Sequence, residues 1–229
     1  MSKLTEWTEK LPDPLPADPL KLAAQWLADA KADAVQPNPN AMVLATVDEH
    51  GQPSARVVLC KDIDPVGRNV LFHTNYLSRK GRELRANPRA ALVFHWDHRH
   101  RQVRIEGEVQ PVSDAENDAY FRTRPWQSRL GAWASAQSEP IASRAALKMA
   151  IAAAATRFRI AWHGPGSTEP AGFSIEIPRP AHWGGFRLRV NAIELWVEGE
   201  HRIHDRARWT RRAGAAAQES AWTVTRLQP

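Results

Sequence analysis

The chain has little that would label its chemistry outright. Its 229 residues include a single cysteine, Cys60. One thiol excludes an internal disulfide framework and any multi-cysteine metal site, and it suits a reducing compartment. No apolar run reaches membrane-spanning length. The opening MSKLTEWTEKLP lacks the hydrophobic core of a secretory signal. The expectation is a cytoplasmic protein that does not engage a membrane. There is no GxxxxGKS phosphate loop, no GxGxxG and no internal repeat. His98 and His100 lack the rest of a ligand set, so no metal is expected.

What is present is a 43% hydrophobic composition, a net charge of +6 and ten tryptophans. The length suffices for one substantial core. The basic balance favours a phosphate-bearing partner without pointing to nucleic acid. The tryptophans are scattered through core-like segments and form no stacking track, which argues against nucleic acid. Residues 1–17, polar and proline-rich, are expected to be a flexible N-terminal segment, and 18–229 a single domain.

Asp18 and Pro19 suit the start of a helix, with Leu22 and Trp26, then Ala23 and Leu27, along its buried stripe. QPNPN at 36–40 stops it. Residues 41–75 read as three strands divided by DEHG and DPVG turns. Ser78 caps a short helix over 78–88; strands follow at AALVFHW and around Arg101–Val109. Ser113 and Glu116 form a capping box for a helix over 113–124. A further helix is expected from about Glu139 to Arg157, then a loop over 161–172. FSIEI, GGFRLRV, AIELWVEG and AWTVTRL read as strand pieces. Strands joined without long helical crossovers predict an antiparallel sheet or barrel, mainly β with peripheral α-helices.

The cations allow two readings. Arg79 and Lys80, in a first helical turn, are either solvated or, with the free amides there, an anion site. Tyr120 and Arg124 are four apart on a helix that Pro125 ends, and Ser128 returns from the following loop. Two hydroxyls and a guanidinium suit a phosphate monoester, although a cap and a surface arginine is the plainer local reading. Cys60 reads as core. In RQVRIEGE, 101–108, Val103 and Ile105 face a core, while Gln102, Arg104 and Glu106 need another explanation.

RVVLCK, NYLSRKGRELRANPRAALVFHW, RQVRIEGEV, YFRTRPWQSRLGAWASAQS, PRPAHWGGFRLR and HRIHDRARW with RLQP occur in an order that closely resembles the pyridoxamine 5′-phosphate oxidase family over roughly residues 18–229. The resemblance implies an FMN-binding split barrel and a homodimer with shared active sites. It also implies oxidation of pyridoxamine 5′-phosphate or pyridoxine 5′-phosphate to pyridoxal 5′-phosphate, in vitamin B6 metabolism, with O2 reduced to H2O2. For FMN it implies Arg56, Val57, Val58, Leu59, Cys60, Lys61, His73, Thr74, Arg79, Lys80, Gln102, Gln137, Ser138, Trp196 and Arg206. For substrate it implies Lys61, Tyr120, Arg124, Ser128, Arg202 and His204, the last two catalytic and expected on one strand face. Gln102 would then face flavin, while Arg104 and Glu106 pair or orient neighbours.

The chain departs from the family pattern at Ser54 and His73, where tyrosine is usual, at Cys60, at Val197 and Glu198, and in an N-terminal segment without arginine. The alternatives are a related FMN oxidase of another ring, such as a phenazine precursor, and a noncatalytic flavin- or pyridoxal-phosphate-binding protein. The Lys61–Tyr120–Arg124–Ser128 set disfavours the first and the RIH element the second.

Overall fold

The computed structural model describes residues 9–162, 164, 176–211 and 222–229. Six antiparallel strands form a closed barrel: β1 (Ala41–Val47), β2 (Pro53–Asp64), β3 (Asn69–Asn75), β4 (Arg89–Trp96), β5 (Arg101–Pro111) and β6 (Trp183–Val197). They neighbour one another in the order β3-β2-β1-β4-β5-β6, and β6 returns to pair with β3. Closure removes the open edges that an exposed sheet would present. Alternating residues fill the interior, among them Leu44, Phe72, Leu92, Phe94, Ile105 and Leu195. β7 (Asp205–Thr210) and β8 (Thr223–Leu227) extend the sheet from β6.

β6 is one strand where two pieces were expected. Its inward residues are Phe186, Leu188 and Val190, then Ile193, Leu195 and Val197. Glu106 pairs with Ala192 and Gly107 with Val190, which leaves Asn191 as an extra residue. Such a bulge flips the alternation and bends the strand. A Cβ at Gly107 would lie 1.9 Å from the Arg189 carbonyl oxygen, so this close crossing requires glycine.

Helices cover the barrel. α1 (Pro19–Asp33) starts where expected, with Asp18 accepting from the Leu20 amide, and buries Ala23, Trp26, Leu27 and Ala30. α2 (Arg79–Ala86) is capped by Ser78, and α3 (Asp114–Thr123) by the Ser113–Glu116 box. α5 (Arg144–Arg157) begins later than expected because Ser143 supplies its cap. α4 (Trp126–Ala134) was not anticipated, and it places Ser128 on a helix rather than in a loop. Trp126, Leu130, Ala154, Ala155 and Ile177 form a small second core between α4 and α5.

The 173–175 part of FSIEI lies outside the described residues, as does most of the 161–172 loop, while 176–180 has no regular structure. Of the N-terminal segment, 1–8 lie outside the described residues. Residues 9–17 rest on the sheet: Leu11 is buried, its amide donates to Asp205 at 2.9 Å, and Trp209 Nε1 donates to the Pro16 carbonyl at 2.9 Å.

Candidate active site

A cavity of about 450 Å³ opens between β2, β3, the start of β6, and α2 to α4. That volume lies in the usual range for a ligand pocket. Val57, Val58 and Leu59 wall one side, and Lys61, His73, Thr74, Lys80, Tyr120, Arg124, Ser128 and Gln137 also line it. The segment after α4 is tied down across the opening. Lys80 Nζ donates to Gln137 Oε1 at 2.7 Å, Asn75 Nδ2 to the Ser135 carbonyl at 3.4 Å, and Arg82 pairs with Glu139 at 2.6 Å.

Its electrostatics favour an anion. Among the described residues no carboxylate forms an ion pair with Lys61, Lys80 or Arg124, although each lines the cavity. Arg124 caps the C-terminal end of α3, one residue beyond the helix that carries Tyr120. Its guanidinium lies 4.7 Å from the Trp183 ring centroid and 5.4 Å from that of Phe121, while a buried Nη1 has no hydrogen-bond partner. Burial lowers its pKa. Burial, with the Arg56 charge, brings the Lys80 amine down to about 8, against the pull of Glu83. His73 is brought down to about 4 by burial and then by Lys61, Arg124 and Arg187, so it is neutral at pH 7. A buried donor without a partner is costly. An entering phosphate or carboxylate would satisfy it.

The other expected site residues lie elsewhere. Arg56 and Arg79 both turn to Glu83, at 2.9 and 2.8 Å. Glu83 is buried, which would raise its pKa, but bonds from Thr46, Ser54, Arg79 and Arg56 outweigh this and hold it at about 2. Cys60 is in the core, its thiol pushed up to about 12 by burial, and it does not line the cavity. Ser138 follows Gln137 with φ of 75°.

Gln102, Trp196, Arg202, His204 and Arg206 gather around the far end of β6. Gln102 pairs with Trp196 across the β5–β6 ladder, and Trp196 with Arg206 across β6–β7. The expectation that Arg202 and His204 share a strand face is wrong. Glu200–Arg202 is a short 3-10 turn, His201 and Arg202 have φ of 52° and 67°, and β7 begins only at Asp205. A Cβ on Gly199 would lie 1.8 Å from the Ile203 carbonyl oxygen, so the turn closes tightly on glycine. The Gly199 amide lies 3.2 Å from His204 Nδ1, and the His204 ring sits 4.7 Å from Trp196. Consecutive left-handed residues other than glycine are strained, as functional turns often are. Trp183 lines the cavity at one end of β6, and this turn follows the other end. Fifteen residues of strand separate the two, and no residue of this turn lines its own chain's cavity.

Sequence profiles decide the family. The one described as "Pyridoxamine 5'-phosphate oxidase" matches residues 28–158, and "Pyridoxine 5'-phosphate oxidase C-terminal dimerisation region" matches 183–229. The chain belongs to the pyridoxamine 5′-phosphate oxidase family. It is 48% identical to the pyridoxine/pyridoxamine 5′-phosphate oxidase of Rhodopseudomonas palustris (strain HaA2), over 93% of this chain and 90% of that one. It is 50% identical to the same-named enzyme of Methylibium petroleiphilum, over 93% and 89%. Among solved structures, PhzG from Burkholderia lata 383, in complex with tetrahydrophenazine-1-carboxylic acid, aligns with a TM-score of 0.77 at 31% identity, covering 95% of each chain. A pyridoxamine 5′-phosphate oxidase-related, FMN binding protein from Nostoc punctiforme shares the fold, with a TM-score of 0.65 at 16% identity over 92% and 97%.

For a chain of this family, the cavity unites eleven of the expected residues and the β6–β7 end another five. Sequence reasoning missed Asn75, Gly131, Ala132, Ser135 and Trp183 as cavity walls. The apolar spacing Trp126–Leu130–Trp133 signals α4, and with it Gly131 and Ala132. Nothing local marks Trp183.

Proposed function

We propose that the cavity of one protomer and the Gly199–Arg206 region of its partner form one active site. It oxidises pyridoxamine 5′-phosphate or pyridoxine 5′-phosphate to pyridoxal 5′-phosphate, with FMN as cofactor and O2 reduced to H2O2. The protein is a homodimer, and the 183–229 match is to a dimerisation region. The observation that carries the phosphate reading is Arg124, half-buried, with a buried Nη1 that has no hydrogen-bond partner and no carboxylate ion pair among the described residues. Residues 18–229 would act as one domain. The single buried Cys60 fits a reducing, cytoplasmic setting.

The cavity fits FMN in size, and Lys80 with Gln137 gives it a buried cation and an amide for a polar group. Lys80, Thr74, His73 and the β2 backbone at Val57–Leu59 would hold it, with Gln102, Trp196 and Arg206 of the partner subunit closing it. Arg56 and Arg79 would add charge at its phosphate end from their seat on Glu83. When bound, FMN supplies the two-electron acceptor for the oxidation at substrate C4′. Lys61, Tyr120, Arg124 and Ser128 bind the substrate phosphate, and that remote binding orients the ring. The partner's Arg202 holds the ring and the partner's His204 positions the reacting substituent, the strained turn fixing both. The valine wall excludes water from one face.

The Burkholderia lata relative, solved with a carboxylic acid, supports a second reading, in which Arg124 meets a ring carboxylate. One comparison separates the two. Peroxide production should depend on pyridoxamine 5′-phosphate and be far weaker with unphosphorylated pyridoxamine. Turnover of a phenazine carboxylate with no activity on the phosphorylated amine would replace the first reading by the second.

A further inference from the structure

We propose that Trp183 is a positioning residue for phosphate recognition, holding Arg124 through its ring face so that the guanidinium stays charged, fixed and unneutralised. The inference rests on the phosphate reading above. A buried arginine is ordinarily fixed by a carboxylate, as Arg179 is here by Asp118 at 2.6 Å and Asp114 at 2.7 Å. Such a partner would cancel much of the charge a phosphate needs. Among the described residues Arg124 has no carboxylate partner; the Trp183 ring at 4.7 Å and the Phe121 ring at 5.4 Å attract its cation through their π faces. The N–H donors, which lie in the guanidinium plane, stay available.

The same indole also reaches the rest of the phosphate set. Trp183 and His73 stack with centroids 5.0 Å apart and planes within 10°, and His73 and Tyr120 stack at 4.2 Å and 17°. Lys61 Nζ lies 5.6 Å from the Tyr120 ring centroid. Trp183 therefore links Arg124 on one side to Tyr120 and Lys61 on the other. The HWGG motif builds this seat. Gly185 pairs with His73 across the β3–β6 ladder, and a Cβ there would lie 2.9 Å from His73 Nε2. At Gly184 a Cβ would lie 2.2 Å from the Tyr76 hydroxyl oxygen. The two glycines let the rings lie flat against the strand that carries Trp183. His73, where the family resemblance has tyrosine, is another flat ring in this stack.

The test is Trp183→Leu and Trp183→Phe, assayed as FMN-loaded proteins. Calorimetry would measure binding of pyridoxal 5′-phosphate and of pyridoxal, with FMN affinity followed separately by flavin fluorescence. In wild type the phosphorylated ligand should bind far more tightly. If it does not, the phosphate reading itself fails. Given that discrimination, Trp183→Leu should weaken pyridoxal 5′-phosphate at least tenfold while pyridoxal and FMN change little, and steady-state losses should fall on KM more than kcat. Trp183→Phe, which keeps a ring face, should lose only a few-fold and serves as the test if the leucine variant fails to fold. Unchanged phosphate discrimination in a folded variant, or equal losses for pyridoxal, pyridoxal 5′-phosphate and FMN, would overturn the assignment.

Discussion

On the outer face of β5, β6 and β7, arginines meet carboxylates. Arg104 and Arg206 share the buried Glu194 at 3.1 and 2.8 Å, and Arg208 takes Glu106 at 2.7 Å. In the cavity, Lys61, Lys80 and Arg124 have no carboxylate ion pair among the described residues, and Arg124 leans on aromatic rings instead. Both regions are rich in cations, but only the first is electrostatically complete. A paired ladder joins strands whether or not anything binds. Partly desolvated cations without a counter-charge raise the energy of the empty protein, a cost that an arriving anion offsets. The contrast separates charges already held by carboxylates, among them Arg206 at the proposed flavin site, from charges that gain a counter-ion only when a ligand arrives.

The largest expected effect tests the unpaired side. Arg124→Ala should weaken use of phosphorylated substrates by about 2–5 kcal/mol without lowering the melting temperature, since no ion pair is broken. Kinetics on pyridoxamine with and without its phosphate, alongside FMN content, would check this; equal damage to both substrates contradicts it.

His73 tests the cost of crowding cations. Its folded pKa of about 4 lies below the ordinary 6.5, so the unfolded chain takes up the proton first as pH falls. The associated stability is full above about pH 6.5 and is lost progressively toward pH 4, by roughly 3 kcal/mol across the window. Denaturant unfolding between pH 7.5 and 5 should show about 2 kcal/mol of this loss in wild type and a smaller one in His73→Phe. Parallel profiles would mean that His73 titrates normally. Glu83, held at about 2, loses its contribution only as pH falls from about 4.5 toward 2, below that interval.

Glu194→Ala breaks the paired side. It should cost about 2 kcal/mol of stability, less than a fully buried pair because Arg104 and Arg206 are partly solvated. Phosphate discrimination should survive. A melting temperature unchanged from wild type would show the ladder to be ornamental.

The smallest effect concerns Lys80. With its pKa at about 8, FMN affinity should hold below pH 8 and fall by up to about tenfold per unit above it. Lys80→Arg should keep the affinity flat to higher pH in fluorescence titrations.

The paired and unpaired regions also differ in how far the sequence reveals them. Caps at Asp18, Ser78 and Ser113 are local devices, and each starts its helix where the sequence predicts. The family motifs carried Lys61, Tyr120, Arg124 and Ser128 to one cavity, although Ser128 arrives on a helix. What escaped is non-local. The Asn191 bulge interrupts an alternation that then reads as two strands. The left-handed backbone at His201 and Arg202 leaves no periodic mark, so HRIHDR imitates a strand. Trp183 is conspicuous as a residue, but its role depends on rings from β3 and α3. The partition of the site into two distant clusters needs the length of β6.

Subunit complementation tests the shared site most directly. Arg124→Ala disables a cavity and Arg202→Ala disables a turn, each as a homodimer with FMN bound. Unfolding or slow exchange would mix the two into hybrids. If each site joins one protomer's cavity to its partner's turn, every hybrid holds one doubly altered site and one intact site, and random mixing restores up to about a quarter of wild-type activity. Anaerobic flavin reduction by pyridoxamine 5′-phosphate should recover in the same proportion. If mixing demonstrably occurs and activity stays at the level of the separate variants, cavity and turn do not meet across the dimer and the account fails.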